Sequence, residues 1–171
     1  PVKYGQVAAY VLVCLAAWIL ARPYEGITLD GQLYALQVLA VLHPIPLAQD
    51  VFLRFGSQND FTLFPHLVAP VARALDIQVA SSLATYSSAL ALLTAGWLLA
   101  RCLTSARLAW LSLGLLITLP GWYGAANVFR YDEMYMSARV PAEALSVLAL
   151  AAACRQRWWL SVACIVAAVA I

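Results

Sequence analysis

Long uncharged apolar runs alternate with short charged segments along the chain. Five of these runs approach the length of about 20 mostly apolar residues that a helix needs to cross a bilayer. They are residues 4–21, 79–100, 108–123, 140–154 and 158–171. Because lipid offers the backbone no hydrogen-bond partner, each run is predicted to be a helix. The pattern therefore predicts an all-α, polytopic membrane protein with about five transmembrane helices, of which the third and fourth are short.

The segment between the first two runs, residues 22–78, is too long for a plain connector. Asp30-Gly31 opens a stretch of good helix formers without breakers, residues 32–42, which Pro44 and Pro46 end. A polar turn at 56–60 separates them from a second apolar stretch, 61–75, which contains two prolines. We therefore expect two juxtamembrane helices within this long first outer loop.

Composition supports a membrane protein. Hydrophobic residues make up 64% of the chain and charged residues 11%, against about 45–50% and about 25% in a soluble domain. A net charge of +2 without a basic run excludes an electrostatic nucleic-acid surface. The expected partners are therefore membrane lipids, and no nucleic acid is expected.

The few charges are divided unequally between the two sides of the predicted bundle. One side has five bases and no acid: Lys3, Arg101, Arg107, Arg155 and Arg157. The other side has the remaining five bases and all eight carboxylates. Because cytoplasmic loops are rich in Lys and Arg, the amino terminus is predicted to be cytoplasmic. The loops 22–78 and 124–139 are then predicted to face outward.

The two ends of the chain carry further information. The first apolar run could be a signal peptide, but Arg22-Pro23-Tyr24 stands where a small-residue cleavage site is required, so an uncleaved span is preferred. The chain starts with Pro1 and stops at Ile171 inside an apolar run. We expect residues 1–171 to form one transmembrane domain, a fragment from the amino-terminal part of a longer protein.

Ionisable side chains are concentrated in and beside the second outer loop. They are Arg130, Asp132, Glu133, Arg139 and Glu143. Charged groups at a membrane boundary are costly to desolvate. This cluster is therefore either well solvated or part of a functional site, and both interpretations stay open.

The order of these features resembles the amino-terminal part of GT-C superfamily glycosyltransferases, polytopic enzymes that use polyprenyl-phosphate-linked sugars. The stretch Gly26-Ile27-Thr28-Leu29-Asp30-Gly31-Gln32-Leu33-Tyr34 is similar to the family's acid-then-Tyr segment after the first span. Asp132-Glu133 stands where the family has an acid in the next outer loop. The chain departs from the pattern at Gly31, where the family often has a second acid.

The resemblance implies an integral membrane glycosyltransferase, with a polyprenyl-phosphate sugar donor, on the outer face of a bacterial inner membrane. Asp30 would be the general base or a group that orients the acceptor, and Asp132 or Glu133 a second carboxylate for the acceptor or a metal. Arg130 or Arg139 would bind the phosphate, which suits the planar guanidinium fork. The substrate-binding candidates are Arg130, Arg139 and Tyr34. No cofactor or metal ligand is assigned, and a divalent metal stays open.

Each candidate also has a purely structural interpretation. Asp30 could be the N-cap of the helix that follows it. Asp132 and Glu133 could favour the dipole of the next helix. Arg130 and Arg139 could anchor the chain at lipid head groups.

The remaining chemistry-bearing residues favour structural roles. Asp50, Asp60 and Asp76 are interpreted as turn and cap residues, and His43 and His66 as structural or interfacial. The four cysteines, in or at the ends of apolar runs without CxxC spacing, are expected to act as small hydrophobes. Most tryptophans lie near predicted span ends, which is typical of an interfacial belt.

Two other functions compete with the transferase, and the oligomeric state is left open. A transporter or flippase half usually places ionisable groups near the bilayer midplane, and these spans have almost none. A non-catalytic membrane subunit would carry its acids on a convex surface. An enzyme instead requires the two outer loops to converge on one site.

Overall fold

The computed structural model describes residues 4–47, 49–55, 61–123 and 129–171. The nine helices in these ranges are α1 Tyr4–Ala21, α2 Asp30–Leu42, α3 Pro44–Leu47, α4 Val51–Arg54, α5 Phe64–Leu75, α6 Ile77–Leu103, α7 Ala106–Thr118, α8 Arg139–Cys154 and α9 Trp158–Ala170. The two-residue strands β1, Trp122–Tyr123, and β2, Phe129–Arg130, pair antiparallel. The all-α class predicted from the sequence is confirmed.

Local sequence signals account for the ends of the helices in the long first loop. α2 ends at Leu42, before the His43-Pro44 pair. α5 has a proline at its start, a favoured position because the missing N–H would have no helical partner there. Asp50 and Asp76 accept hydrogen bonds from the first backbone N–H groups of α4 and α6. Both are therefore cap residues, as predicted, whereas Asp60 lies outside the described residues.

The third apolar run is not helical along its whole predicted length of 108–123. α7 ends at Thr118, and Leu119 is extended because it precedes Pro120, which disfavours a helical conformation in the residue before it. The chain then enters β1. The helix is therefore shorter than the apolar run because Pro120 ends it.

One helix in the described part of the chain, α6, is long and apolar enough to cross a membrane, with 27 residues and a mean hydropathy of 1.5. α1 covers the first predicted run and, at 18 residues, is the next longest helix. Three shorter apolar segments are Leu12–Ala21, Ala106–Thr118 and Trp158–Ala170. Membrane association is thus supported by one full-length helix.

The longer helices run alternately in opposite directions between two ends of a bundle. At one end, here called the site end, the residues after α1 contact the carboxyl end of α7 and the start of α6. At the other, the far end, Cys102 near the end of α6 contacts Ala151 near the end of α8. α6 and α8 therefore descend side by side from the site end to the far end.

The segment from Tyr131 to Ala138, before α8, has neither helix nor strand and is largely buried. Met134 packs with Trp18, Leu93 and Leu113 in one hydrophobic cluster. Met136 packs with residues of α2, α5 and α6 in another. Asp132 and Glu133 are buried beside these methionines, so the alternative of a well solvated cluster is wrong for these two carboxylates.

Large apolar side chains remain exposed along the outer faces of α7 and α9. On α9 the exposed residues are Val162, Ile165, Val166 and Val169. On α7 they include Leu108, Leu111 and Leu115. Spacings of three and four residues place each set on one stripe of its helix.

Candidate functional site

Asp132 lies at the centre of a buried charge cluster at the site end. Its Oδ2 accepts a hydrogen bond from Arg22 Nε at 2.7 Å, and its Oδ1 accepts one from Arg130 Nε at 2.9 Å. Glu25 Oε1 lies 3.7 Å from Arg130 Nη1. The Asp132 side chain is 7% exposed. Both oxygens of this carboxylate are therefore occupied by guanidinium groups within the protein.

Arg22 connects this cluster to the end of α7. Besides Asp132, its guanidinium donates to the backbone carbonyls of Ile117 and Leu119. The last carbonyls of a helix lack intrahelical partners and carry partial negative charge, which a cation stabilises. The guanidinium carbon also lies 4.5 Å from the ring centroid of Trp18, within cation–π range.

Gly121 permits the close approach of Asp132. A Cβ atom at position 121 would lie 2.1 Å from the Asp132 Cγ. The Gly121 carbonyl also accepts a hydrogen bond from Tyr131 N at 3.1 Å. A side chain at 121 would therefore occupy the space that the carboxylate fills.

A second charge cluster joins the two outer loops. Arg139, at the start of α8, donates through Nη1 to Glu133 Oε1, and its Nη2 lies 3.6 Å from Asp30 Oδ2. The Glu133 side chain is 1% exposed, whereas that of Asp30 is 54% exposed. Arg139 therefore stands between a buried carboxylate and one that solvent can reach.

Two tyrosines surround this second cluster. Burial, together with the Glu133 and Asp30 carboxylates, raises the pKa of Tyr135 to about 12. Burial also raises the pKa of Tyr34, against the opposing effect of Arg139. The ring of Tyr34 packs edge-on against Phe64 at 5.4 Å between centroids. Both hydroxyls thus remain protonated near neutral pH and can donate hydrogen bonds.

Gly31 lies against the buried segment that precedes α8. A Cβ at position 31 would lie 3.3 Å from Tyr135 Cβ and 3.5 Å from the Met136 carbonyl oxygen. The first turn of α2 therefore lies directly against the buried segment. A carboxylate side chain at 31 has no room unless that segment moves.

The structure brings four of the six predicted site residues into one group: Asp30, Tyr34, Glu133 and Arg139. The other two, Arg130 and Asp132, form the neighbouring cluster with Arg22 and Glu25. The segments 22–78 and 124–139 thus converge at the site end. Asp30 and Glu133 are separated by about one hundred residues in sequence but share Arg139.

Two of the structural interpretations for these residues are not observed. The N-cap of α2 is Leu29, with no side-chain cap bond, so the N-cap interpretation of Asp30 is wrong. α8 begins at Arg139, several residues after Asp132 and Glu133, so these acids are not in its first turn. Arg130 and Arg139 pair with carboxylates and are 21% and 30% exposed, so their contact with lipid head groups stays a prediction.

Arg22 and Tyr135 were missed as site residues. A basic residue directly after an apolar span is usual at a membrane interface. The sequence therefore did not mark Arg22 as a site residue. Tyr135 had a weak signal, because Met134 and Met136 on either side alternate with polar residues, as in a half-buried extended segment.

A divalent metal does not fit this donor set. The described ranges hold no group of three or more His, Cys, Asp and Glu side chains arranged for a metal ion. Glu133 and Asp132 are held by guanidinium groups, which a cation would have to displace. His43 and His66 are exposed, His43 at the end of α2 and His66 in α5.

No protein-family model, curated protein or solved structure matches the chain.

Proposed function

We propose that the chain belongs to an integral membrane glycosyltransferase, which moves a sugar from a polyprenyl-phosphate donor to an acceptor on the outer face of a bacterial inner membrane. The observation that carries the proposal is the meeting of Asp30 and Glu133 on Arg139. Asp30 is an exposed carboxylate beside the Arg139 guanidinium, which pairs on its buried side with Glu133. This arrangement suits base catalysis next to a phosphate.

In this proposal, four helices cross the membrane in addition to the full-length helix α6: α1, α7, α8 and α9. Three properties support it. The five helices alternate in direction between the site end and the far end. The exposed apolar stripes of α7 and α9 would be unusual on a soluble monomer. Four bases without acids, Arg101, Arg107, Arg155 and Arg157, lie at the far end, which is then cytoplasmic.

Within this proposal, Asp30 accepts the proton of the acceptor hydroxyl as that oxygen attacks the anomeric carbon. The bond from the anomeric carbon to the donor phosphate breaks, and the phosphate leaves with the electron pair. Arg139 stabilises the departing phosphate. Its 3.6 Å contact with Asp30 is longer than a hydrogen bond, so phosphate can replace Asp30 while Glu133 still holds the guanidinium.

Glu133 and Asp132 have different roles from Asp30. Glu133 is buried, so we assign it to the orientation of Arg139. Its carboxylate is 1% exposed and interacts with the Tyr135 hydroxyl as well as with Arg139. Asp132 has both oxygens bound to arginines, and we assign it a structural role instead of catalysis.

The test is transfer by the full-length protein in reconstituted membranes supplied with polyprenyl-phosphate hexoses, measured as released polyprenyl phosphate. Asp30→Asn should lower the rate by roughly 10²- to 10⁴-fold, the usual contribution of a general base. Asp50→Asn, which alters only the cap of α4, should keep the wild-type rate. Wild-type transfer by a folded Asp30→Asn variant would exclude the assignment.

A further inference from the structure

The far end of the bundle carries four arginines that none of the outer chemistry uses. They are Arg101, Arg107, Arg155 and Arg157. Within the described ranges none of them forms an ion pair, whereas Arg22, Arg130 and Arg139 at the site end all face carboxylates. The far end is therefore a positive surface without a counterion from the described chain.

Two of these arginines are brought together by the packing of α6 and α8. Cys102 Sγ lies 3.7 Å from the Ala151 carbonyl oxygen, and Arg155 Nε donates to the same sulfur at 3.2 Å. Arg101 is the neighbour of Cys102 in the last turn of α6. The ends of the two helices thus hold Arg101 and Arg155 in one region.

Helix stability does not account for the other two arginines. Arg107 is in the first turn of α7, and Arg157 is the N-cap of α9. A positive charge at a helix amino terminus opposes the helix dipole. Arg107 and Arg157 therefore place positive charge at helix amino termini, where the helix dipole disfavours it.

An apolar groove leads to this charged end. It has a volume of about 460 Å³ and lies between α6 and α8, where Ser88, Ala91, Thr94, Ala95 and Leu98 line it from α6. Pro141, Ala144, Leu145 and Leu148 line it from α8. Arg101 follows Leu98 by three residues and Arg155 follows Leu148 by seven, so both continue the faces that line the groove.

The dimensions of the groove match one lipid leaflet. Its α6 wall, from Ser87 to Leu98, spans roughly 16 Å at 1.5 Å per residue. Half of the hydrocarbon core of a bilayer is about 15 Å thick. Trp158 and Trp159 are exposed beside the arginines, as in the aromatic belt at the level of the head groups.

We propose that the far end binds an anionic phospholipid of the cytoplasmic leaflet, with its phosphate between Arg101 and Arg155 and an acyl chain in the groove between α6 and α8. Charge complementarity selects the head group, because the arginines lack carboxylate partners. The inference rests on the membrane placement in the proposed function and not on sugar transfer.

The test uses the full chain purified in detergent, with phosphatidylglycerol and phosphatidylcholine of identical acyl chains as probes. Native mass spectrometry should show phosphatidylglycerol bound in preference to phosphatidylcholine. The Arg101→Gln/Arg155→Gln double variant should bind phosphatidylglycerol roughly thirtyfold more weakly, on the usual contribution of one basic side chain at a lipid surface. Arg54→Gln/Arg73→Gln, which removes two exposed arginines elsewhere, should bind as the wild type does.

A second variant tests the groove separately. Ala91→Trp fills the groove from an exposed position and should weaken the binding of both lipids. Equal binding of the two lipids, unchanged binding by the arginine double variant, or equally tight binding of glycerol phosphate without acyl chains would each overturn the proposal. Failure of the Asp30→Asn transfer test would leave this result unaffected, since lipid binding is measured without a sugar donor.

Discussion

Arg22 Nε lies 2.7 Å from Asp132 Oδ2, although the two residues are 110 positions apart in the sequence. Their side chains are 10% and 7% exposed. Because Arg22 also binds the last carbonyls of α7, this one ion pair fixes the end of α1, the end of α7 and the buried segment before α8 relative to one another. Glu133, which holds Arg139 in the proposed site, directly follows Asp132 in that segment.

Removal of the Arg22 charge should destabilise the protein. Arg22→Met leaves a buried Asp132 with Arg130 as its one remaining partner among the described residues, and we expect a loss of about 3 kcal/mol, the low end for a broken buried pair. Thermal unfolding in detergent measures it. Arg73→Met, at an exposed position of α5, should change stability by less than about 0.5 kcal/mol. Equal losses in the two variants would show that the ion pair is not buried.

Gly121→Ala should disturb the same cluster by steric conflict. The new Cβ would lie 2.1 Å from the Asp132 Cγ, so the carboxylate must move away from its arginines. We expect a loss of about 1–3 kcal/mol, as for overpacked cores. Gly114→Ala is the matched control, because its Cβ meets nothing within 4 Å and alanine favours the helix. Equal unfolding temperatures of the two variants would show that position 121 does not lie against Asp132.

Stability should fall at alkaline pH through Tyr135. The pKa of the Tyr135 hydroxyl is about 12 in the folded protein, against the ordinary tyrosine value of 10.0 that applies to the unfolded chain. The unfolded chain therefore loses the Tyr135 proton first, and the folded state loses stability as the pH rises from about 10 to about 12. Tyr135→Phe should make the fall in unfolding temperature less steep over this range, with pH 7 as the reference. A slope equal to that of the wild type would contradict the raised pKa.

Labelling in spheroplasts tests the five-span orientation. On a background without native cysteines, Gln49→Cys should react with a membrane-impermeant maleimide from outside, because residue 49 is exposed in the first outer loop. Thr104→Cys, exposed between α6 and α7, should react only after permeabilisation. Labelling of Thr104→Cys in intact spheroplasts would reverse or exclude the orientation.

Apolar runs and helix breakers predicted most of the helix boundaries. α1 matches the first run because it contains no proline or charge within it, and α2 ends where His43-Pro44 stops it. α7 was predicted to extend to 123, but it ends at Thr118 because Pro120 disfavours a helical conformation in Leu119. This boundary is thus set by a local signal, which the apolar pattern of the run outweighed in the prediction.

The candidate site was only partly predictable. Asp30, Glu133 and Arg139 stand out in the sequence because charge is rare in an apolar chain. Whether Asp132 serves catalysis or structure depends on the distances to Arg22 and Arg130, which no local pattern contains. The burial of the loop also depends on Met134 and Met136 finding apolar clusters made by other helices.

The pairing of Arg22 with Asp132 has a consequence for biosynthesis. The ribosome adds about 5–20 residues per second, so Arg22 is made roughly 6 to 22 s before the carboxylate that neutralises it. During that interval the guanidinium at the end of the first helix lacks the carboxylate that neutralises it in the folded protein. The buried ion pair can therefore form only after residue 132 has been made.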